Sequence, residues 1–264
     1  MTPSEEKAAF QVRDRGTGID LCLKIINPNI QMERLGRELQ ALSRLNHPNL
    51  SRLEAYHNTI TQDGHKHAVV EPFIDGADLA SRVQAGHPWA LGEAAGFFAQ
   101  ILDGLEVLRG LDIVHRDLKP TNLRIATDGR PVVIDLGIAR HLLLDPLTRT
   151  HQGARIGSMP YFSPEQWRGT YRDIDHRSDL FAVGIMLFEV VTGRHPFWTR
   201  RNMTAPELEA NVCEHDNHWQ FHEFQSLPSP WQTLLRKLLD RDRERRPLSA
   251  EVAARVLRKV GGVA

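Results

Sequence analysis

Residues 111–137 constrain the fold of this chain more than any other stretch. An apolar run, Leu111–Val114, leads into a polar octapeptide, His115-Arg116-Asp117-Leu118-Lys119-Pro120-Thr121-Asn122. Leu123-Arg124-Ile125, a turn at Asp128-Gly129 and Val132-Val133-Ile134-Asp135-Leu136-Gly137 follow. The β-branched runs and the turn residues between them predict strand, polar loop, hairpin, strand, polar loop. Two aspartates and an asparagine then sit at the mouths of those strands. A carboxylate at Asp117, a cation at Lys119 and an amide at Asn122 suit a base, a phosphate contact and a metal ligand. Asp135 supplies a second carboxylate for the metal. Positioning, charge neutralisation and one proton acceptor are what phosphoryl transfer requires.

The bulk properties exclude several alternatives. The formal net charge of the 264 residues is zero, which speaks against a nucleic-acid or acidic-surface partner. Two cysteines, Cys22 and Cys213, give no disulfide framework and fit a reducing compartment. No stretch approaches the roughly eighteen apolar residues of a membrane span, and the first residues lack an apolar signal core, so a cytoplasmic location is expected. Cys213, His215, His218 and His222 have metal-like spacing, but no second cysteine pair completes a zinc set.

The hydropathy pattern divides the chain. Ala9–Arg13 and Leu21–Ile26 alternate as a hairpin around Asp14-Arg15-Gly16-Thr17-Gly18. Leu35, Leu39, Leu42 and Leu45 recur at helical spacing, ending at His47-Pro48-Asn49. Strands are expected near Leu50–His57 and Lys66–Phe73. Helices are expected at Asp78–Gln84, Leu91–Leu111, Asp179–Thr192, Ala205–Val212, Pro230–Asp240 and Ser249–Val260. This is an α+β chain, with a small sheet-plus-one-helix part followed by a large helical part.

The octapeptide resembles the catalytic loop of eukaryotic-type (Hanks-type) serine/threonine protein kinases, H-R-D-L-x-x-x-N. Asp135-Leu136-Gly137 is similar to the D-F-G metal loop and Ser163-Pro164-Glu165 to A-P-E. The resemblance covers nearly the whole chain, and the Ser-Pro-Glu-Gln segment looks most like bacterial members. Small-molecule kinases share the two metal loops but usually lack the lysine and the S-P-E segment. The resemblance implies a bilobal fold in a single domain, 1–264. Its small lobe would be about 1–73, its hinge about 70–76 and its large lobe about 77–264. It also implies transfer of the γ-phosphate of Mg·ATP, with Mn²⁺ as an alternative metal, to Ser or Thr hydroxyls of a protein substrate. Asp117 would be the base, Lys119 would steady the γ-phosphate, and Asn122 and Asp135 would hold the metal.

Further roles follow from the same resemblance. Lys24, in Leu21-Cys22-Leu23-Lys24, is similar to the phosphate-binding lysine of V-A-I-K. Glu38 is its expected helix partner, with Glu33 as competitor. Cys22, two residues before Lys24 and on the same strand face, would line the adenine site. The hinge would lie near Val69–Ile74, with Glu71 or Val70 as gatekeeper and Phe73 beside the nucleotide. Asp78 would touch the ribose or cap a helix. Thr148 and Thr150 are candidate phosphosites, with Arg116 as receiver of the phosphate. Glu165 and Arg246 resemble a buried pair that locks the large lobe, and Asp179 the residue that orients the catalytic loop.

The chain departs from the pattern at its start. The Gly-rich lid should occupy Thr2–Lys7, which contains no glycine. Glycines let backbone amides close over phosphates because nothing projects from Cα. A pseudokinase, a non-catalytic module that regulates a partner or self-associates, is therefore the rival reading.

Overall fold

The computed structural model describes residues 7–26, 39, 42–61, 64–136, 159–169 and 174–263. The expected lid segment Thr2–Glu6, both Glu33 and Glu38, the phosphosites Thr148 and Thr150, and Gly157-Ser158 lie outside these residues.

Four antiparallel strands form the first sheet, in the order β1-β2-β4-β3: β1 (Lys7–Arg13), β2 (Asp20–Ile26), β3 (Ala55–Thr61) and β4 (Gly64–Pro72). Asp14 builds the first turn. Its Oδ1 accepts from the amides of Gly16 and Thr17, at 3.0 and 2.6 Å, and Gly18 takes a positive φ of 73°. The register sets Cys22 opposite Glu71 and Lys24 opposite Val69. Opposed residues share a face of a pleated sheet, so these four side chains converge on one side. Leu39 and Leu42 are helical, as the leucine spacing predicts.

Two strand expectations need correction. Leu50–Glu54 is not strand. Leu50 makes a single bridge to Val133, and the amides around it are used across the molecule: Ser51 N donates to Val133 O and Val133 N to Asn49 O, both at 2.8 Å. Leu111–Val114 is not strand either. Asp112 adopts φ 56°, and the amide of Ile113 turns back to the Leu108 carbonyl at 2.9 Å, closing the preceding helix.

The remaining elements begin with β5 (Gly76–Asp78), α1 (Leu79–Gln84) and α2 (Leu91–Gly110). Strands β6 (Leu123–Ala126) and β7 (Pro131–Val133) then form a second antiparallel sheet with β5, in the order β5-β6-β7. Gly76 permits that sheet. At φ 135° a Cβ on it would lie 2.0 Å from the Ile125 carbonyl oxygen. The helices that follow are α3 (Pro164–Trp167), α4 (His176–Thr192), α5 (Ala205–Cys213), α6 (His222–Gln225), α7 (Ser229–Leu238) and α8 (Ala250–Gly261).

Helix α4 is buried almost all round, as its run Leu180–Phe188 requires. Asp175 caps its start, accepting from Arg177 N at 2.8 Å, and Gly193 ends it at φ 72°. Phe98, Ile101, Leu102, Phe181 and Phe188 are fully buried at the centre of the helical part. Each such side chain contributes about 1.5–3 kcal/mol through burial.

Candidate active site

The octapeptide follows α2 and is fixed from three directions. Asp179, buried in the first turn of α4, accepts the amides of His115 (2.8 Å) and Arg116 (2.9 Å). Burial lifts the Asp179 carboxyl above its ordinary range, against the pull of His115, those amides and Arg116. Gln166 of α3 donates its amide to the Arg116 carbonyl at 2.9 Å, while its side-chain oxygen accepts from Ser163 N at 3.0 Å. The His115 ring, with no exposed surface, sets Nε2 3.2 Å from the Ile134 carbonyl oxygen and accepts from Asp117 N at 3.3 Å through Nδ1.

These contacts hold two strained residues. Arg116 (φ 63°) and Asp135 (φ 66°) occupy the left-handed region, which costs a non-glycine residue about 1–3 kcal/mol. Strain of this kind persists only where the surroundings over-determine it.

Asp117, Lys119 and Asn122 come together as the sequence predicts. Lys119 Nζ lies 3.0 Å from Asp117 Oδ2. Asn122 Nδ2 donates to the Asp117 carbonyl at 2.8 Å. That bond commits the amide nitrogen and leaves the amide oxygen as the group's acceptor end. Backbone pairing carries this loop to the next: Ile134 N donates to Asn122 O at 2.9 Å, and Asp135 follows directly. An amide oxygen and a carboxylate are hard oxygen donors, the set that suits Mg²⁺.

Lys24 reaches Asp135 from the first sheet. Its ammonium lies 3.6 Å from Asp135 Oδ1 and 2.6 Å from Glu71 Oε2. Lys24 is 6 % exposed and Glu71 5 %. Burial acts to lower the Lys24 pKa, but the charges of Glu71 and Asp135 outweigh it and hold the pKa above its ordinary value. Of Val70 and Glu71, it is Glu71 whose side chain turns to Lys24.

The other sequence-derived residues divide. Cys22 is partly buried, on the face it shares with Lys24 and Glu71. Phe73 is half-buried, and its amide donates to Asp20 O at 3.3 Å. Asp78 caps α1, where Oδ1 accepts from Ser81 N (2.8 Å) and Ser81 Oγ (2.6 Å). Glu165 and Arg246 form a two-pronged buried pair at 2.7 and 2.9 Å. Burial pushes the Glu165 carboxyl up, yet Arg246 and Ser178 bring it below the ordinary range.

Three contributors escape sequence reasoning. Ser51 donates its hydroxyl to Glu71 Oε2 at 3.0 Å, Gln166 braces the Arg116 carbonyl, and Arg124 donates to the carbonyls of Ile74 and Gly76 at 3.1 and 2.5 Å. Their roles rest on contacts between residues 20 to 50 positions apart in sequence, which only the folded chain brings together. Among the described residues no group of three or more His, Cys, Asp and Glu side chains is arranged to hold a metal ion, and His218 packs 4.7 Å from Phe197 and 3.9 Å from Trp219.

A strand lysine, an anchored Asp-x-Lys-x-x-Asn loop and a strained aspartate between a sheet part and a helical part define a kinase-like site. The chain belongs to the protein kinase domain family, whose model matches residues 7–257, and its fold is the bilobal kinase fold. It is 34% identical over 230 residues to the serine/threonine-protein kinase PkaA of Streptomyces coelicolor, covering 86% of this chain and 39% of that protein. It is 36% identical over 171 residues to PrkC of Bacillus subtilis (65% and 25%), and 32% over 183 residues to PknB of Mycobacterium leprae (67% and 29%). Both are also named serine/threonine-protein kinases. The chain thus spans between about a quarter and two fifths of the length of these relatives.

Proposed function

We propose that this chain is a serine/threonine protein kinase that transfers the γ-phosphate of Mg·ATP, or Mn·ATP, to protein hydroxyls. The observation that carries the reading is the convergence of Lys24, Asp135, Asn122, Lys119 and Asp117 through anchored backbone. The names of the relatives support Ser and Thr as acceptors. We take residues 1–264 as one kinase domain acting on a protein substrate in the cytoplasm. Among the described residues no helix is long and apolar enough to cross a membrane.

Asp117 accepts the hydroxyl proton of the substrate as the new oxygen–phosphorus bond forms and the bond to the leaving ADP breaks. Lys119, 3.0 Å from that carboxylate, neutralises charge on the transferred phosphoryl group and keeps the base oriented. Asn122 and Asp135 would hold the metal, which would supply charge neutralisation for the phosphates. Lys24 contacts the remaining phosphates. Cys22, Glu71 and Phe73 line the nucleotide side, and the ribose contact of Asp78 would be made by a residue already committed to its cap. Glu38 as a helix partner of Lys24, and phosphorylation of Thr148 or Thr150 received by Arg116, are parts of the same proposal.

One observation favours the second reading, a regulatory pseudokinase: no glycine stands between Thr2 and Lys7. Radiolabelled ATP with the full chain, followed by mass spectrometry of the product, separates the two. Label on Thr148 or Thr150 fits the enzyme reading, and an absence of transfer with retained nucleotide binding fits the pseudokinase.

A further inference from the structure

The inner face of the first sheet carries a carboxylate, Glu71, directly after the apolar run Ala68-Val69-Val70 of strand β4. A charge at a buried strand position is costly unless paired and hydrogen-bonded. Glu71 meets both conditions through one oxygen. Its Oε2 accepts from Lys24 Nζ at 2.6 Å and from Ser51 Oγ at 3.0 Å.

Ser51 is not a passive neighbour. Its amide donates to the Val133 carbonyl at 2.8 Å, and Val133 N donates in turn to Asn49 O at 2.8 Å. The Asn49 side chain donates to the Pro131 carbonyl at 2.7 Å. Segment 49–51 is therefore fastened to β7, the strand that runs directly into Asp135. The contacts form a closed circuit: β7 to Ser51, Ser51 to Glu71, Glu71 to Lys24, and Lys24 to Asp135 at 3.6 Å. A flexible lysine stem has no preferred reach of its own, whereas this circuit fixes its ammonium relative to the metal loop.

We infer that Glu71 is the positioning residue of Lys24: anchored by Ser51, it holds the ammonium between the first sheet and Asp135, where the phosphates of a nucleotide bind. This rests on the nucleotide-binding part of the proposed function. A strand residue, with a serine behind it, thus orients Lys24 in addition to the helix partner Glu38 that the resemblance implies. An ammonium has three N–H donors, and Glu71 occupies one. The contact therefore orients Lys24 without exhausting it.

The test is calorimetric binding of Mg·ATP and of adenosine to the full chain. Glu71→Gln keeps the shape and an acceptor for Ser51 but removes the charge. It should weaken Mg·ATP binding about tenfold or more, the scale of a charge-assisted hydrogen bond, and weaken adenosine binding by a clearly smaller factor. Ser51→Ala, which leaves the ion pair in place, should weaken Mg·ATP in the same direction by a smaller factor, and it serves if the first variant fails to fold. In a Lys24→Met background, Glu71→Gln should no longer weaken Mg·ATP binding, because the effect passes through the ammonium. Unchanged or tighter Mg·ATP binding by Glu71→Gln, or an equal loss in the Lys24→Met background, would overturn the inference. Wild-type chain that binds adenosine but not Mg·ATP would overturn it as well. Wild-type chain that binds neither ligand would instead sink the proposed function.

Discussion

Glu189 offers a stability experiment whose sign is fixed by the structure. It lies near the end of α4, partly buried, and its carboxylate accepts the Tyr161 hydroxyl at 3.0 Å. Burial raises its pKa to about 7, against a smaller opposing effect of that hydrogen bond. Burial first, and then the Glu189 charge, push the Tyr161 phenol well up, so it remains the donor. A carboxyl whose folded pKa lies above its unfolded value of 4.5 binds more protons in the folded state. Stability is therefore lost as pH rises from the unfolded value through the folded one. The interval corresponds to about 3 kcal/mol, all of it lost by pH 8 and almost none at pH 4.5. Glu189→Gln retains an acceptor for Tyr161 and never ionises. It should raise the melting temperature by about 6–12 °C at pH 8 and by about 1 °C or less at pH 4.5. His195, which stacks edge-on against Tyr161, has a pKa lowered to about 3 by burial and stays neutral in the folded state throughout this window. Its contribution is common to both proteins and cancels in the difference. Thermal melts of both across the pH range are the assay. An equal gain at pH 4.5 and pH 8, or a loss at pH 8, would refute the reasoning.

Two further outcomes are expected. Arg246→Met removes the buried cation from Glu165, which keeps the Ser178 hydroxyl, and should cost about 3–5 kcal/mol in chemical denaturation, because it strands one charge of a buried pair; a loss under about 1 kcal/mol would contradict the account of that lock. Saturating Mg·ATP should slow alkylation of Cys22 at fixed pH while leaving Cys213 nearly unchanged, since Cys22 shares the strand face of Lys24 and the thiolate is the reactive form; mass spectrometry of the labelled peptides reads this, and identical Cys22 rates would count against the nucleotide site.

The convergence of the octapeptide residues was legible because they are nearly consecutive and their chemistry is dense. Asp117, Lys119 and Asn122 lie within six residues, and local backbone brings them together. The long helices were legible for a different reason. The apolar spacing of α2 and α4 reports burial directly, so their limits shift by only a few residues. Leu111–Val114 misled because an apolar run before a loop reads equally well as a strand or as a tail folded back on a helix. The pairing of Lys24 with Glu71 was not legible at all. It depends on the β2–β4 register, and a shift of one residue would turn Glu71 to the opposite face. Ser51 was hidden for the same reason, since its role comes from a backbone bond to Val133 across the molecule. Asp78 carried two readings in sequence, and its local bonds to Ser81 show the cap.

Phosphate transfer by Asp117→Asn beside the wild-type chain tests the central claim most directly. The substitution leaves Lys24 and Asp135, the groups on the nucleotide side, unchanged, and it removes the proton acceptor beside Lys119. With Mg·ATP and a protein carrying Ser and Thr hydroxyls, the wild type should transfer radiolabel. The variant should be slower by about 10²-fold or more while binding Mg·ATP within about twofold of wild type. Equal transfer rates in the two proteins would contradict the assignment of Asp117 as the base, and with it the reading of this chain as a kinase that works through the octapeptide.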